Sequence, residues 1–277
     1  MPVVSRLPRP TPPRGLIFLA SAWLIAGWVM SMGLRPPIQL HAASYTPSVR
    51  TLLFSLIIGI GVAWPLVRLS GSLRAWPIRQ TLLDLLVLLC LAQVVVWPLR
   101  LVTPWPPVRS AAIDLLLIGW AAAIAAIVAI GSVPARGGRG LLRSMAMAMI
   151  MVILLGVPCV TAIGGEALPF TIRPLGEGAE AWWATVALSP LTAIDALSGG
   201  GPTPPEAEEW QAVRWAWYAA GALWLAAIIL IPMIPRLDEG PEASPASEPE
   251  GSQEAEEGDS TGGSPGASAP PPRPPTG

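Results

Sequence analysis

The sequence predicts an all-α fold: a polytopic membrane helix bundle with about six transmembrane helices, a short re-entrant or interfacial helical element before the last one, and a disordered C-terminal tail. Three observations lead there. Of 277 residues, 52% are hydrophobic and only 13% charged, with a mean hydropathy of +0.56, whereas a soluble domain carries about a quarter charged residues. The apolar residues gather in runs close to the roughly 20 residues that a helix needs to cross a hydrocarbon core about 30 Å thick. Charge is pushed to one end, since nine of the 18 acidic residues fall between Asp238 and Asp259, after the last run.

The first 14 residues form a basic, proline-rich segment carrying Arg6, Arg9 and Arg14. The run at 15–34 is longer than the 7–15 residues of a signal-peptide core and ends in Arg35-Pro36-Pro37, a poor cleavage context, so it reads as a retained first span. Further spans are expected at 51–67, 81–102, 111–131, 144–163 and 215–231, which places a six-span domain at 15–235. These runs lack two-residue alternation, and lipid leaves no unpaired backbone tolerable outside helices and closed barrels. Residues 236–277 are rich in Pro, Ser, Gly, Ala and Glu and too poor in large apolar residues to offset the entropy of ordering.

Arginine placement sets the expected orientation. With the N-terminus in the cytosol, inner segments carry Arg6, Arg9, Arg14, Arg68, Arg74, Arg79, Arg136, Arg139, Arg143 and Arg236, against Arg35, Arg50, Arg100, Arg109, Arg173 and Arg214 outside. This bias puts both termini in the cytosol. Trp64, Trp97, Trp105, Trp210 and Trp215 fall at or near span ends, where indole rings favour the headgroup layer, and Trp23, Trp28, Trp120 and Trp224 lie deeper.

Reactive chemistry is sparse. Every basic residue is Arg, so no phosphate-binding loop with a following Lys exists. The single histidine, His41, falls in an outer loop, and Cys90 and Cys159 lack metal-ligand spacing and read as small apolar residues. No catalytic, cofactor-binding or metal site is expected, and no clustered basic face suggests nucleic acid. Ionisable residues inside spans are the usual pointers to transport or catalysis. Asp84 and Asp114 each fall in the first turn or two of a run and Arg100 at the end of one, so all three read as interfacial anchors. The pairs Gly27/Ser31, Gly59/Ala63 and Gly119/Ala123 have the small-xxx-small spacing of close helix packing.

The most informative stretch is 181–197, AWWATVALSPLTAIDAL, a nearly apolar segment within the long loop before the last span. Ser189-Pro190 at its middle is a helix-start signal, and Gly199-Gly200-Gly201-Pro202 ends whatever forms. Two short helices dipping into the outer leaflet satisfy the pattern. So does one amphipathic helix lying on the membrane, anchored by Trp182 and Trp183.

Six spans, a cytosolic N-terminus and a short apolar element between the last two spans resemble the type-2 ABC exporter permeases. In that family the element often carries Ser-Pro or Asn-Pro followed by an aliphatic stretch, and Ser189-Pro190-Leu191-Thr192-Ala193-Ile194 is similar. The basic turn at 134–143 also resembles the family's fourth-to-fifth connection. Where those permeases carry an acidic segment after the second span, residues 68–79 of this chain hold no acid. The resemblance implies a membrane subunit of the plasma (inner) membrane, acting as a homo- or heterodimer with a separate ATP-binding subunit, that moves a lipid, polymer or other amphiphile. It assigns Trp182, Trp183, Ser189, Pro190, Leu191 and Ile194 to the re-entrant element. Arg68, Arg74, Arg79, Arg136, Arg139 and Arg143 fall in the loops facing the ATPase. The alternative is a non-transporting membrane scaffold acting through its cytosolic tail.

Overall fold

The computed structural model describes residues 14–33, 42–71, 76–133, 139–163 and 186–234. The chain divides into two units after Leu237, and every described residue belongs to the first, Met1–Leu237; the acidic tail lies outside the described residues. Helix α1 (Arg14–Trp28) runs into a π-turn at Val29–Gly33. Helix α2 (Ala42–Ile58) continues through a second π-turn, Gly59–Ala63, into α3 (Trp64–Ser70). Then come α4 (Pro77–Val102), α5 (Pro107–Gly131), α6 (Arg139–Ile163), the short α7 (Pro190–Gly199) and α8 (Ala207–Met233). No strand occurs among the described residues.

Six of these helical stretches are long and apolar enough to cross a membrane: Arg14–Ser31, Tyr45–Ser70, Pro77–Val102, Pro107–Gly131, Gly140–Cys159 and Ala207–Met233. With Phe18, Ile25, Val94, Leu101, Val152 and Leu225 exposed on their outer sides, the bundle has the exterior of an integral membrane protein.

Several helices begin earlier than the apolar runs suggested. Pro77 and Pro107 each occupy the first turn of a helix, where the missing N–H has no partner to lose and the fixed φ suits the helix. The last span starts eight residues early, because Glu206 and Glu209 form a reciprocal capping box that begins α8 at Ala207. Within the second span, Pro65 removes a donor and crowds the turn before it. The helix absorbs this by widening, so that the Trp64 N–H donates to the Gly59 carbonyl, and it carries on to Ser70.

Helix α5 is the axis of the bundle. Most of its length is buried, and α3, α4, α6, α7 and α8 all pack on it. Its run of Ala121, Ala123, Ala125, Ala126 and Ala129 keeps the backbone within reach of its neighbours, the usual basis of helix association where water does not drive it. α8 runs parallel to α5: Arg109 meets Glu209, Gly119 lies on Ala216, and Ala129 shares a cluster with Ala227. A Cβ on Gly119 would stand 3.1 Å from that of Ala216. Gly59 likewise gives room to Trp23, whose indole N–H donates to the Ser55 carbonyl at 2.9 Å.

The tryptophans divide differently from the expectation. Trp97 and Trp215 are exposed, but Trp64 and Trp105 are buried in the core with Trp120. Position near a span end placed them in the headgroup layer; Trp64 occupies an inward helix face, and Trp105, in the connection between α4 and α5, packs into the core.

Candidate functional site

The short helix α7 sits inside the bundle against α2, α5 and α6, at the end where α4 finishes and α5 and α8 begin. Ser189, Pro190, Thr192, Ala193, Ile194, Leu197 and Ser198 are all buried and Leu191 half-buried. A helix lying on the bundle surface would expose one side of these residues, so the described part of the element is an insertion. Trp182 and Trp183 lie outside the described residues.

Ser189 stands where an N-cap is expected, in extended conformation, but its hydroxyl does not cap its own helix. It donates instead to the Leu154 carbonyl of α6 at 2.8 Å. The reason lies four residues further along α6, where Pro158 has no N–H to offer that carbonyl. In lipid a carbonyl freed this way needs another donor, and a neighbouring serine supplies it. The Thr192 hydroxyl donates to the Val186 carbonyl at 2.6 Å and closes the turn leading into α7.

Two ion pairs tie α7 and the loop after it to the spans. The Arg50 guanidinium of α2 pairs with the Asp195 carboxylate of α7. Burial pushes the Asp195 carboxyl above its ordinary value of 3.8, against the opposing pull of the Arg50 charge and hydrogen bond. Arg109 of α5 makes the second pair. Its Nη1 donates to Glu209 Oε1 at 3.2 Å and to the Leu197 carbonyl at 2.6 Å. Its Nη2 donates to Glu209 Oε2 at 3.0 Å and to the Pro204 carbonyl at 3.3 Å, and Nε donates to the Thr203 carbonyl at 2.8 Å. All five guanidinium donors are thereby used. Glu209 Oε2 also accepts the Glu206 backbone N–H at 2.8 Å. Gly200 packs on the guanidinium so closely that a Cβ there would overlap it, and Gly201 turns the chain with φ +67°. One arginine therefore holds α5, the end of α7, its loop and the start of α8 together.

Three of the six arginines assigned to ATPase-facing loops fall, with their side chains, within the described residues. Arg74, Arg136 and the Arg139 side chain lie outside the described residues. Arg68 is corrected from loop to helix: the widened turn before Pro65 carries the span on to Ser70, and the Arg68 side chain stands 3.5 Å from Asp84. Arg143, a turn inside α6, donates to the Gly71 carbonyl at 3.1 Å, and Arg79 is exposed in the first turn of α4. Asp84 and Asp114 are corrected as well. Because α4 and α5 start at Pro77 and Pro107, both carboxyls lie two turns inside their helices and are buried, beyond the one-turn reach of a helix terminus. Asp84 accepts from the Gln80 amide at 2.9 Å and Asp114 from the Gln93 amide at 2.6 Å. Arg100 stays exposed at the end of α4, 5.8 Å above the Trp97 ring.

Arg50, Arg109, Asp195 and Glu209 were not foreseen as a site. Asp195 carried a signal, as the lone charge in a nearly apolar segment, and so did the Glu206-x-x-Glu209 spacing of a capping box. Arg109 carried none. Among the described residues no group of three or more His, Cys, Asp or Glu could hold a metal ion. No family model, curated protein or solved structure matches the chain.

Proposed function

We infer that the chain is the membrane subunit of an exporter of the type-2 ABC class, which moves a lipid, polymer or other amphiphile with a separate cytosolic ATPase. The observation that supports the reading is the buried α7, inserted ahead of the last span and pinned to three spans at one end of the bundle. An inserted element at that point in the chain order is the feature on which the resemblance rests, and Ser189 and Pro190, the residues that carry it, are those that seat it. In this reading both termini face the cytosol of a plasma (inner) membrane, and α7 lies at the outer end. Energy, in the same reading, comes from the partner and the path from the apolar bundle of a dimer.

Purification of the full chain from its native membrane in mild detergent tests this. An ATP-binding protein should accompany it in stoichiometric amount, and an Ile194→Asp substitution, which places a charge at a fully buried position of α7, should abolish ATP-dependent movement of amphiphile in membrane vesicles. A chain that purifies without any nucleotide-binding partner, from membranes that show no such movement, would remove the basis for the exporter reading.

A further inference from the structure

Among the described residues two carboxyl groups lie two turns inside spans, Asp84 and Asp114, and their surroundings differ in one respect. Asp84 on α4 has a cation beside it, the Arg68 guanidinium at 3.5 Å, as well as the Gln80 amide. Asp114 on α5 is met by a neutral partner, the Gln93 amide of α4 at 2.6 Å, and among the described residues no cation pairs with it. Starting from Pro107, Asp114 is about 10 Å along the helix axis at 1.5 Å per residue. Gln93 stands nine residues before the end of α4, about 13 Å along it by the same measure. The contact therefore lies well inside the spans.

Among the described residues the neighbouring charges are paired elsewhere or exposed. Arg109, on the same helix, uses its five donors on Glu209 and three carbonyls. Asp195 of α7 is paired with Arg50 of α2. From α8, Ala212, Val213 and Ala216 turn inward while Arg214 is exposed, and Arg100 of α4 stands outside over Trp97. Arg68 of α3 is beside Asp84, and the arginines of α6, Arg139 and Arg143, belong to its first turns at the opposite end of the bundle.

An ionised carboxylate in apolar surroundings without a cation is far costlier than a neutral acid. The Gln93 amide donates through its N–H, a bond that an acid carbonyl and a carboxylate both accept, so the burial of Asp114 without a cation is what favours the acid. We propose that Asp114 is a proton-binding site inside the bundle, a carboxylic acid with an exchangeable proton whose carbonyl oxygen accepts from the Gln93 amide. Asp84, beside Arg68, is its ionised counterpart. The site stands whether or not the chain is an exporter subunit, since it follows from the α4–α5 contact alone.

Infrared difference spectra of the full chain in lipid at neutral pH decide it. Subtracting Asp114→Asn from the native protein should leave a protonated-acid carbonyl band, and subtracting Asp84→Asn should leave carboxylate bands. If the Asp114→Asn difference contains carboxylate bands and no acid band, the proposal is wrong. Should Asp114→Asn fail to fold, Gln93→Leu replaces it: the acid carbonyl band should move to the frequency of an acid without a hydrogen-bond partner. An acid region left unchanged by that substitution would overturn the proposal equally.

Discussion

Arg109 and Glu209 are each 1% exposed at their side chains, while Arg50 keeps 32% of its side-chain surface open beside an Asp195 at 7%. Both pairs hold α7 and its loop to the spans, yet their surroundings divide them. Arg109 loses water entirely and replaces it with five hydrogen bonds, and Glu209 gains a backbone donor besides, so neither charge is left short of partners. Arg50 retains water, and Asp195 is buried enough that desolvation outweighs its partner's pull. Chemistry alone would rank the two alike. What separates them is how completely the protein replaces the water it removes.

Breaking the buried pair from one side should have the largest effect. Glu209→Leu leaves the Arg109 charge enclosed and is expected to cost about 3–5 kcal/mol, as buried pairs do when one partner is lost. Reversible unfolding in mixed micelles would measure it, and Arg109→Leu combined with Glu209→Leu should recover part of the loss. A Glu209→Leu protein no less stable than Arg50→Leu would abolish the distinction between the pairs.

A smaller effect should follow from Gly200→Ala, whose Cβ must displace the guanidinium. Overpacking of this kind costs about 1–3 kcal/mol. Gly221→Ala, which meets nothing within 4 Å, serves as the control and should not destabilise the bundle. Equal losses at the two positions would mean that the Arg109 clamp tolerates rearrangement.

The smallest effect belongs to Asp195→Asn, expected at under about 1 kcal/mol near neutral pH, the usual range for a partly exposed pair. Its sign with pH is informative. A carboxyl whose folded value is raised contributes stability that is fully present below its ordinary value of 3.8 and is lost as pH rises through the folded value. The native protein should therefore gain on Asp195→Asn as the pH is lowered. A native protein that instead loses ground on acidification would show that Arg50, and not burial, governs the group.

The sequence by itself determined that this chain is a bundle of six apolar helices with a short helix before the last, because length and hydropathy along the chain are set by composition alone. The Ser189-Pro190 start and the close-packing glycines were legible for the same reason: each rests on residues adjacent in sequence or one helical turn apart. Only the tertiary structure decided that α7 is buried, that Trp64 faces the core, and that Asp84 and Asp114 are interior. The underlying quantity there is which side of a helix meets another, and a helix apolar all round gives no periodicity from which to read it. The Arg109 clamp shows this most clearly. Its partners lie 88 to 100 residues away, at Leu197, Thr203, Pro204 and Glu209, and no local pattern could have linked them.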